Sequence, residues 1–414
     1  MNYFKYIVLL SSFFGLSQSS FGQLTNNSEQ DSRTWILNKK VLIDHKLKIE
    51  SGKHSSLTKA YKLLIKDANN ALQLAPVSVM DKTLIAASKN KHDYFSFGPY
   101  WWPDPEQPNG EPYIQKDGLR NPITSSNGTD VPSKSRMKES VSKLSLAYFF
   151  SDDEKYAKHA IQFIETWFIN EATLMNPNME YAQAIPGRVD GRGIGIIESR
   201  AFIDVAASID LLKSSRYWTP SIDKNLHAWY KQFLNWMVQS KNGQEEHKAI
   251  NNHGTWYDCQ VAHFAYFDNN DSLARSFING MAKRMEEQFE ADGSQPHELS
   301  RTKTFSYTIF TLNSYLSVAK LAKNLDIDIW AFKNSKGATL QTAVDFIAPY
   351  ADPNKEWPYQ QIGKLDRKAL VPILIQTALR YPEEEKYKKW LAMIPKKKWN
   401  KRMLLLSNTE NLSQ

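Results

Sequence analysis

Three polar clusters in this chain carry side chains able to move protons and hold anions. The first, "NNHGTWYD", holds Asn251, Asn252, His253, Trp256 and Tyr257. The second, "DGSQPHELSRTKTFSY", holds Gln295, His297, Glu298, Arg301 and Tyr307. The third, "QAIPGRVDGRGIGIIESR", holds Gln183, Arg188, Arg192, Glu198 and Arg200. Glycoside hydrolysis needs two acids, one on each side of the scissile bond. The attractive carboxylates here are Asp190, Glu198, Asp258 and Glu298. β-Elimination from a uronic acid asks for a different set. The proton beside the carboxylate is weakly acidic, and its removal builds negative charge that donors such as Asn or Arg must neutralise. A base, His or Tyr, takes the proton, and an acid, often Tyr, protonates the leaving oxygen. These clusters contain each of those parts, and which of His253 and Tyr307 is the base stays open.

Helices must position them. Apolar residues recur at helical spacing in "LTKAYKLLIKDANNALQL", "SRMKESVSKLSLAYFF", "DEKYAKHAIQFIETWFI", "PSIDKNLHAWYKQFLNWMVQS", "TWYDCQVAHFAYF", "SLARSFINGMAKRMEEQF", "SYTIFTLNSYLSVAKLAKNL" and "ATLQTAVDFIAPY". Ser133, Thr219 before Pro220, Asp271 or Ser272, and Ser306 read as helix starts. His253 then lies at a helix N-terminus, and Arg301 in the loop before the helix carrying Tyr307. Helix N-termini present free N–H groups and positive potential, which suits an anionic ligand. Similar helices joined by short connections pack as antiparallel hairpins, and a ring of six to seven hairpins buries every apolar face. The expected class is all-α, an incomplete α/α toroid, as one domain over residues 23–414. Strand patterns are scarce, "HDYFSFGPYWWP" being the best extended candidate. It opens a long Pro- and Gly-rich segment of the kind that is usually functional in a compact domain. Tyr100, Trp101 and Trp102 there could stack on sugar rings, as could Trp357 in "NKEWPYQQI"; each could equally be packed.

"NNHGTWYD" followed by "SQPHELSRTKTFSY", together with "FGPYWWPDP" and "GRGIGIIESR", resembles the alginate-lyase family of polysaccharide lyases. The likeness runs from about Asp93 to Tyr315, and the four motifs in order are specific where one alone is not. The resemblance implies an α/α toroid and metal-independent β-elimination on an acidic polysaccharide. It implies Asn252, His253, Arg301 and Tyr307 as the catalytic positions: Tyr307 as acid or acid and base, His253 as base or carboxylate neutraliser, Asn252 and Arg301 on the carboxylate. Tyr100, Trp101, Trp102, Gln183, Arg192, Trp256, Gln295, Glu298 and Trp357 are the expected substrate-binding residues. No metal or other cofactor is expected, because the spacings of His247, His253, His263 and His297 match no metal signature.

The chain has 414 residues, 42% of them hydrophobic and 12% aromatic, enough for a large core. Its formal net charge of +8 suits a polyanionic partner, although much of the excess lies in "EEEKYKKWLAMIPKKKWNKR", where a solvated face is the plainer reading. No nucleic-acid module and no membrane span are recognisable, and a monomer is expected. The opening "MNYFKYIVLLSSFFGLSQSSFGQ" has the layout of a signal peptide cut near Gly22 or Gln23, so a periplasmic or secreted protein is expected. One cysteine, Cys259, permits no internal disulfide and, far from the N-terminus, no lipid-anchored start; it reads as a buried apolar residue. Three readings of function follow: alginate lyase, with a lyase for another polyuronate such as glucuronan as its variant; a toroid glycoside hydrolase; and a glycan-binding protein without activity.

Overall fold

The computed structural model describes residues 37–409 and Leu412. The expected signal peptide lies outside the described residues. Fifteen α-helices are present among them, with only four short strands. The hairpin pattern is clearest where connections are shortest. Helices Val131–Ser151 and Glu154–Phe168 pack together across Asp152 and Asp153, and Asn252–Phe267 packs on Asp271–Gln288 across a three-residue turn. Asp152 takes the left-handed conformation that ends the first of these helices.

The helix Asn252–Phe267 is the centre of the unit. It contacts helices Ala201–Leu212, Pro220–Gln239, Asp271–Gln288 and Thr304–Ala322. Every residue in it is buried except His253. A helix apolar on all sides is a core helix, so His253 is the one place where its side chains reach solvent. Cys259 lies inside it with no exposure, and burial pushes its thiol up to about 12. Gly254 is required by packing. A Cβ there would stand 1.9 Å from the Ala249 carbonyl oxygen and 2.3 Å from Arg284 Nη1.

The helix starts test the local reading. Thr219 caps its helix as expected, accepting from the Ile222 N–H at 3.2 Å. Three other starts are corrected. The helix assigned to Ser133 begins at Val131 after Asp130, whose carboxylate turns instead to the Phe95 N–H (2.8 Å) and Lys82 (3.1 Å). Asn270, rather than Asp271 or Ser272, accepts from the Leu273 N–H. Ser306 caps nothing, because its helix already begins at Thr304. There Gln361, from a distant loop, accepts the Phe305 and Ser306 N–H groups at 3.1 and 3.4 Å.

The extended candidate is real but short. β1 (Phe95–Phe97) pairs in parallel with β4 (Tyr181–Ala184), and β2 (Trp101–Trp102) pairs antiparallel with β3 (Ile114–Gln115). The first ladder ties the long segment between residues 95 and 130 to residues 181–184, and the second folds the segment on itself. Its two ends are closed by Phe95 and Asp130, which exchange N–H bonds at 2.8 and 2.9 Å, and the buried Lys82 pairs with Asp130 there, neither side chain being exposed.

Candidate active site

His253 stands in the first turn of the central helix. Asn251 supplies the cap, its side chain accepting from the His253 N–H at 3.1 Å. The buried Glu246, on the preceding short helix Lys241–His247, accepts from His253 Nδ1 at 2.7 Å. A carboxylate on Nδ1 fixes the proton there and leaves the lone pair on Nε2. The His253 side chain keeps 17% exposure, so the ring can be reached from outside. Asn252 is held from below. Its backbone N–H and its side-chain Nδ2 donate to Glu298 at 2.6 and 2.8 Å. Burial raises the Glu298 carboxyl against these bonds.

The second half of the site is built by the loop before helix Thr304–Ala322. Arg301 lies over the Tyr307 ring, its guanidinium carbon 4.2 Å from the centroid, and its Nη2 donates to the Tyr307 hydroxyl at 3.0 Å. That hydroxyl in turn donates to Tyr100 at 2.9 Å. Burial is the main cause that drives the Tyr307 hydroxyl well above its ordinary range, the bond to Tyr100 adding to it and Arg301 opposing. Asp117 faces Arg301 with both oxygens, at 2.6 Å from Nη2 and 3.3 Å from Nε. The same carboxylate accepts from the Thr302 hydroxyl at 2.8 Å. Burial pulls Asp117 up, but the bonds from Arg301 and Thr302 outweigh it and hold the carboxyl below its usual range.

A third group borders these. The Trp101 ring lies 5.2 Å from the guanidinium of Arg188 and 5.9 Å from that of Arg192. Lys116 lies over Trp102, whose indole N–H donates to the Leu119 carbonyl. Arg192 donates to the Gln183 backbone and side-chain oxygens at 3.1 and 3.0 Å. Gln183 has a φ of +54°. A non-glycine residue there costs on the order of 1 kcal/mol and persists only where its surroundings impose it. Here the Ser96 hydroxyl, accepting from the Gln183 N–H, and Arg192 do so.

The sequence reading assigned more substrate contacts than the geometry leaves open. Trp256 and Trp357 are corrected to packing positions. Trp256 is buried, its indole N–H on the Phe310 carbonyl and Arg200 over its ring. Trp357 is buried among Phe305, Phe346, Tyr350 and Tyr359, with its N–H on Thr304. Gln295 is 1% exposed. Glu298, also buried, holds Asn252 rather than facing outward. Tyr100 meets Tyr307 edge to edge through the hydroxyls instead of offering itself only as a platform. Asp117, Glu246 and Gln361 were not singled out by the sequence. Their partners sit too far along the chain, or in too ordinary a helix, to leave a local signal.

Of the four carboxylates a hydrolase could use, Asp190 is exposed and the other three are committed elsewhere, which leaves no free pair among them. Asp258 is buried between Arg284 and His247. Glu198 accepts from Tyr94 and pairs with Lys134. Glu298 is spent on Asn252. Of the four histidines considered for zinc, His263 is buried on the Cys259 carbonyl and His247 pairs with Asp258. Among the described residues no cluster of three His, Cys, Asp or Glu side chains is arranged to hold a metal ion.

With this geometry in view, the chain can be set beside known proteins. The family model described as alginate lyase matches residues 78–357. A crystal structure of an alginate lyase from Bacteroides ovatus is 38% identical, covering 91% of this chain and 99% of that one, with a TM-score of 0.86. Alginate lyase A1-III from Sphingomonas species A1 is 13% identical over 86% of this chain and 90% of that one, TM-score 0.56, a likeness of fold. A variant of A1-III solved in complex with a tetrasaccharide is similar at 12% identity over 86% of this chain and 90% of that one, TM-score 0.54. No curated protein matches the sequence.

Proposed function

The chain belongs to the alginate lyase family, and from that premise we propose that it cleaves alginate by β-elimination, with His253 as base and Tyr307 as acid. The toroid of helices holds both at helix starts, Tyr307 against Tyr100 of the segment of residues 95–130. His253 Nε2 takes the proton from C5 of a uronate. The electrons of that C–H bond form the C4–C5 double bond, the C4–O bond breaks, and Tyr307 gives its proton to the departing oxygen. The second hydrogen of Asn252 Nδ2, with the positive end of its helix, offsets charge building on the carboxylate. Trp101 and Trp102, with Arg188, Arg192 and Lys116 over them, offer apolar faces and cations to further uronates along the chain.

The observation that carries this reading is the Glu246–His253 pair. It leaves Nε2 of a partly exposed ring as acceptor while Tyr307, protonated by burial, remains a donor. A second reading, with Tyr307 as both base and acid, is favoured by Arg301, which would stabilise a phenolate at 3.0 Å. The test is to incubate the purified chain with mannuronate-rich alginate, guluronate-rich alginate and glucuronan separately. Products lighter by one water than hydrolysis fragments, with unsaturated ends, support elimination, and the best polymer names the uronate. New reducing ends without unsaturation would contradict it. Extensive loss of unsaturated product in His253→Ala favours His253 as base, whereas a largely active variant favours Tyr307 in both roles.

We propose export to the periplasm or medium on the N-terminal pattern alone. Sequencing the mature N-terminus tests it: a start near Gln23 supports export, and retention of Met1 in the functional enzyme contradicts it.

A further inference from the structure

We propose that Asp117 is a positioning residue that commits Arg301 to the proton of Tyr307 rather than to the carboxylate of the substrate. The inference rests on the elimination reading and goes beyond it by assigning Arg301 a different target from the one the family resemblance implies.

A guanidinium has five N–H donors in a rigid fork. Arg301 spends Nε and Nη2 on the two oxygens of Asp117, and the other Nη2 hydrogen on the Tyr307 hydroxyl. The Nε–Nη2 edge is therefore filled by a carboxylate of the protein itself, and the second Nη2 hydrogen by Tyr307, so a uronate carboxylate could meet Arg301 only through Nη1 and not with two parallel bonds from one edge. The plane of the guanidinium also lies over the Tyr307 ring. Arg301 thus touches Tyr307 at its oxygen and its ring face, and Asp117 sets that pose from the opposite side.

The pair is built for position. Asp117 and Arg301 are half-buried, at 26% and 23% side-chain exposure, where a fork-to-fork pair is less screened than on an open surface. Thr302 donates both its hydroxyl and its backbone N–H to Asp117, so the carboxylate cannot turn without breaking further bonds. Gly118 follows with a φ of +75°, and a Cβ there would meet the Thr302 hydroxyl at 2.4 Å. The loop therefore comes this close only because a glycine sits beside Asp117. The charged and titratable groups acting on Tyr307 and Arg301 are Tyr100, Asp117 and Glu298. Two of the three, Tyr100 and Asp117, come from the same segment. Docking of that segment therefore brings in the acceptor of the Tyr307 hydroxyl and the holder of its arginine together.

The chemical consequence concerns the moment at which the charge appears. The Tyr307 oxygen becomes anionic only as its proton passes to the leaving oxygen. An arginine placed on that oxygen acts in the transition state and not on the bound substrate. An arginine placed on the substrate carboxylate acts in both. The two assignments differ in which kinetic constant they move.

The test uses the full mature chain on the alginate it cleaves best, following unsaturated product, with Asp117→Asn, Asp117→Glu and Thr302→Val. Asp117→Asn is expected to lower kcat on the order of ten- to a hundredfold, the scale of a partner that orients a functional group, while KM stays within about twofold because ground-state binding is untouched. Asp117→Glu keeps both oxygens and should recover part of the loss. Thr302→Val removes one of the bonds that hold the Asp117 carboxylate but leaves the ion pair, and should lower kcat less than Asp117→Asn does, with KM again little changed. A KM rise with kcat preserved in Asp117→Asn would overturn the proposal and return Arg301 to the substrate carboxylate. A loss in Thr302→Val equal to that in Asp117→Asn would also overturn it, since Asp117 would then only anchor the loop. A wild-type chain that forms no unsaturated product would sink the elimination reading, and this assignment with it.

Discussion

Tyr307 keeps its proton because burial makes the phenolate costly, and Arg301 lowers that cost only at the oxygen where the charge must appear. The hydroxyl is held above the ordinary tyrosine value of about 10. An acid whose pKa is raised stays protonated, and so active, to higher pH. The rate should therefore show no loss from tyrosine ionisation up to about pH 10; a kcat profile that collapses between pH 8 and 9 without unfolding would contradict this. His253 depends on a different neighbour. Glu246 fixes which ring nitrogen carries the proton. Glu246→Gln removes the charge but keeps the shape, and should lower kcat by about tenfold or more, the usual scale for a partner that orients a ligand or base. The check is kcat beside a melting curve, since loss of the fold would also abolish activity. An unchanged kcat in a folded variant would remove Glu246 from the account.

At the scale of elements, the site depends on helix starts, and these divide into local and borrowed ones. The start at Asn252 is local. Asn251 caps it and Gly254 lets Arg284 pass, so "NNHG" was legible as a helix mouth. The start at Thr304 is borrowed. No side chain of the preceding residues caps it, and Gln361 reaches back to do so. Periodicity could find that helix but could not assign its cap to a residue 55 or more positions away. The same limit hid Asp117, which is separated from Arg301 by 184 residues. Trp256 and Trp357 failed for another reason. An aromatic beside a polar motif looks the same in sequence whether its ring faces a sugar or fills a core, and only packing against Phe310, or against Phe346 and Tyr350, separates the two. Gln361→Ala should destabilise the protein by about 1 kcal/mol, the usual cost of a lost cap. It should also weaken catalysis through Tyr307 one turn on. Urea unfolding beside kcat reads both, and no change in either would show the cap to be idle.

At the scale of the whole molecule, the helical body and the segment of residues 95–130 must close on each other to complete the site. The buried Lys82–Asp130 pair holds that segment where its ends, Phe95 and Asp130, meet. Lys82 also donates to the Val79 and Lys91 carbonyls, and Asp130 accepts from the Phe95 N–H. Burial raises the Asp130 carboxyl to about 7. A carboxyl held above its unfolded value contributes stability that is fully present below that value, near 4, and lost as pH climbs through the folded value. Lys82→Met leaves the carboxylate buried without its cation. The expected cost is about 3 kcal/mol at pH 8 and less at pH 5, where Asp130 takes up a proton. Denaturation at the two pH values checks it; an equal cost at both would contradict the titration, and no cost would show that the pair does not hold the segment. The toroid class was readable from helix lengths and short connections, while this closure, made by pairs far apart in sequence, was not.

On the proposed function this site eliminates rather than hydrolyses, with Tyr307 protonating the leaving oxygen. The direct measurement is ultraviolet absorbance of unsaturated product from alginate, wild type against Tyr307→Phe, with folding checked by circular dichroism. The account predicts a steady rise for wild type and, for the variant, a rate lower by on the order of a hundredfold or more. A Tyr307→Phe enzyme that forms unsaturated product at the wild-type rate would contradict it.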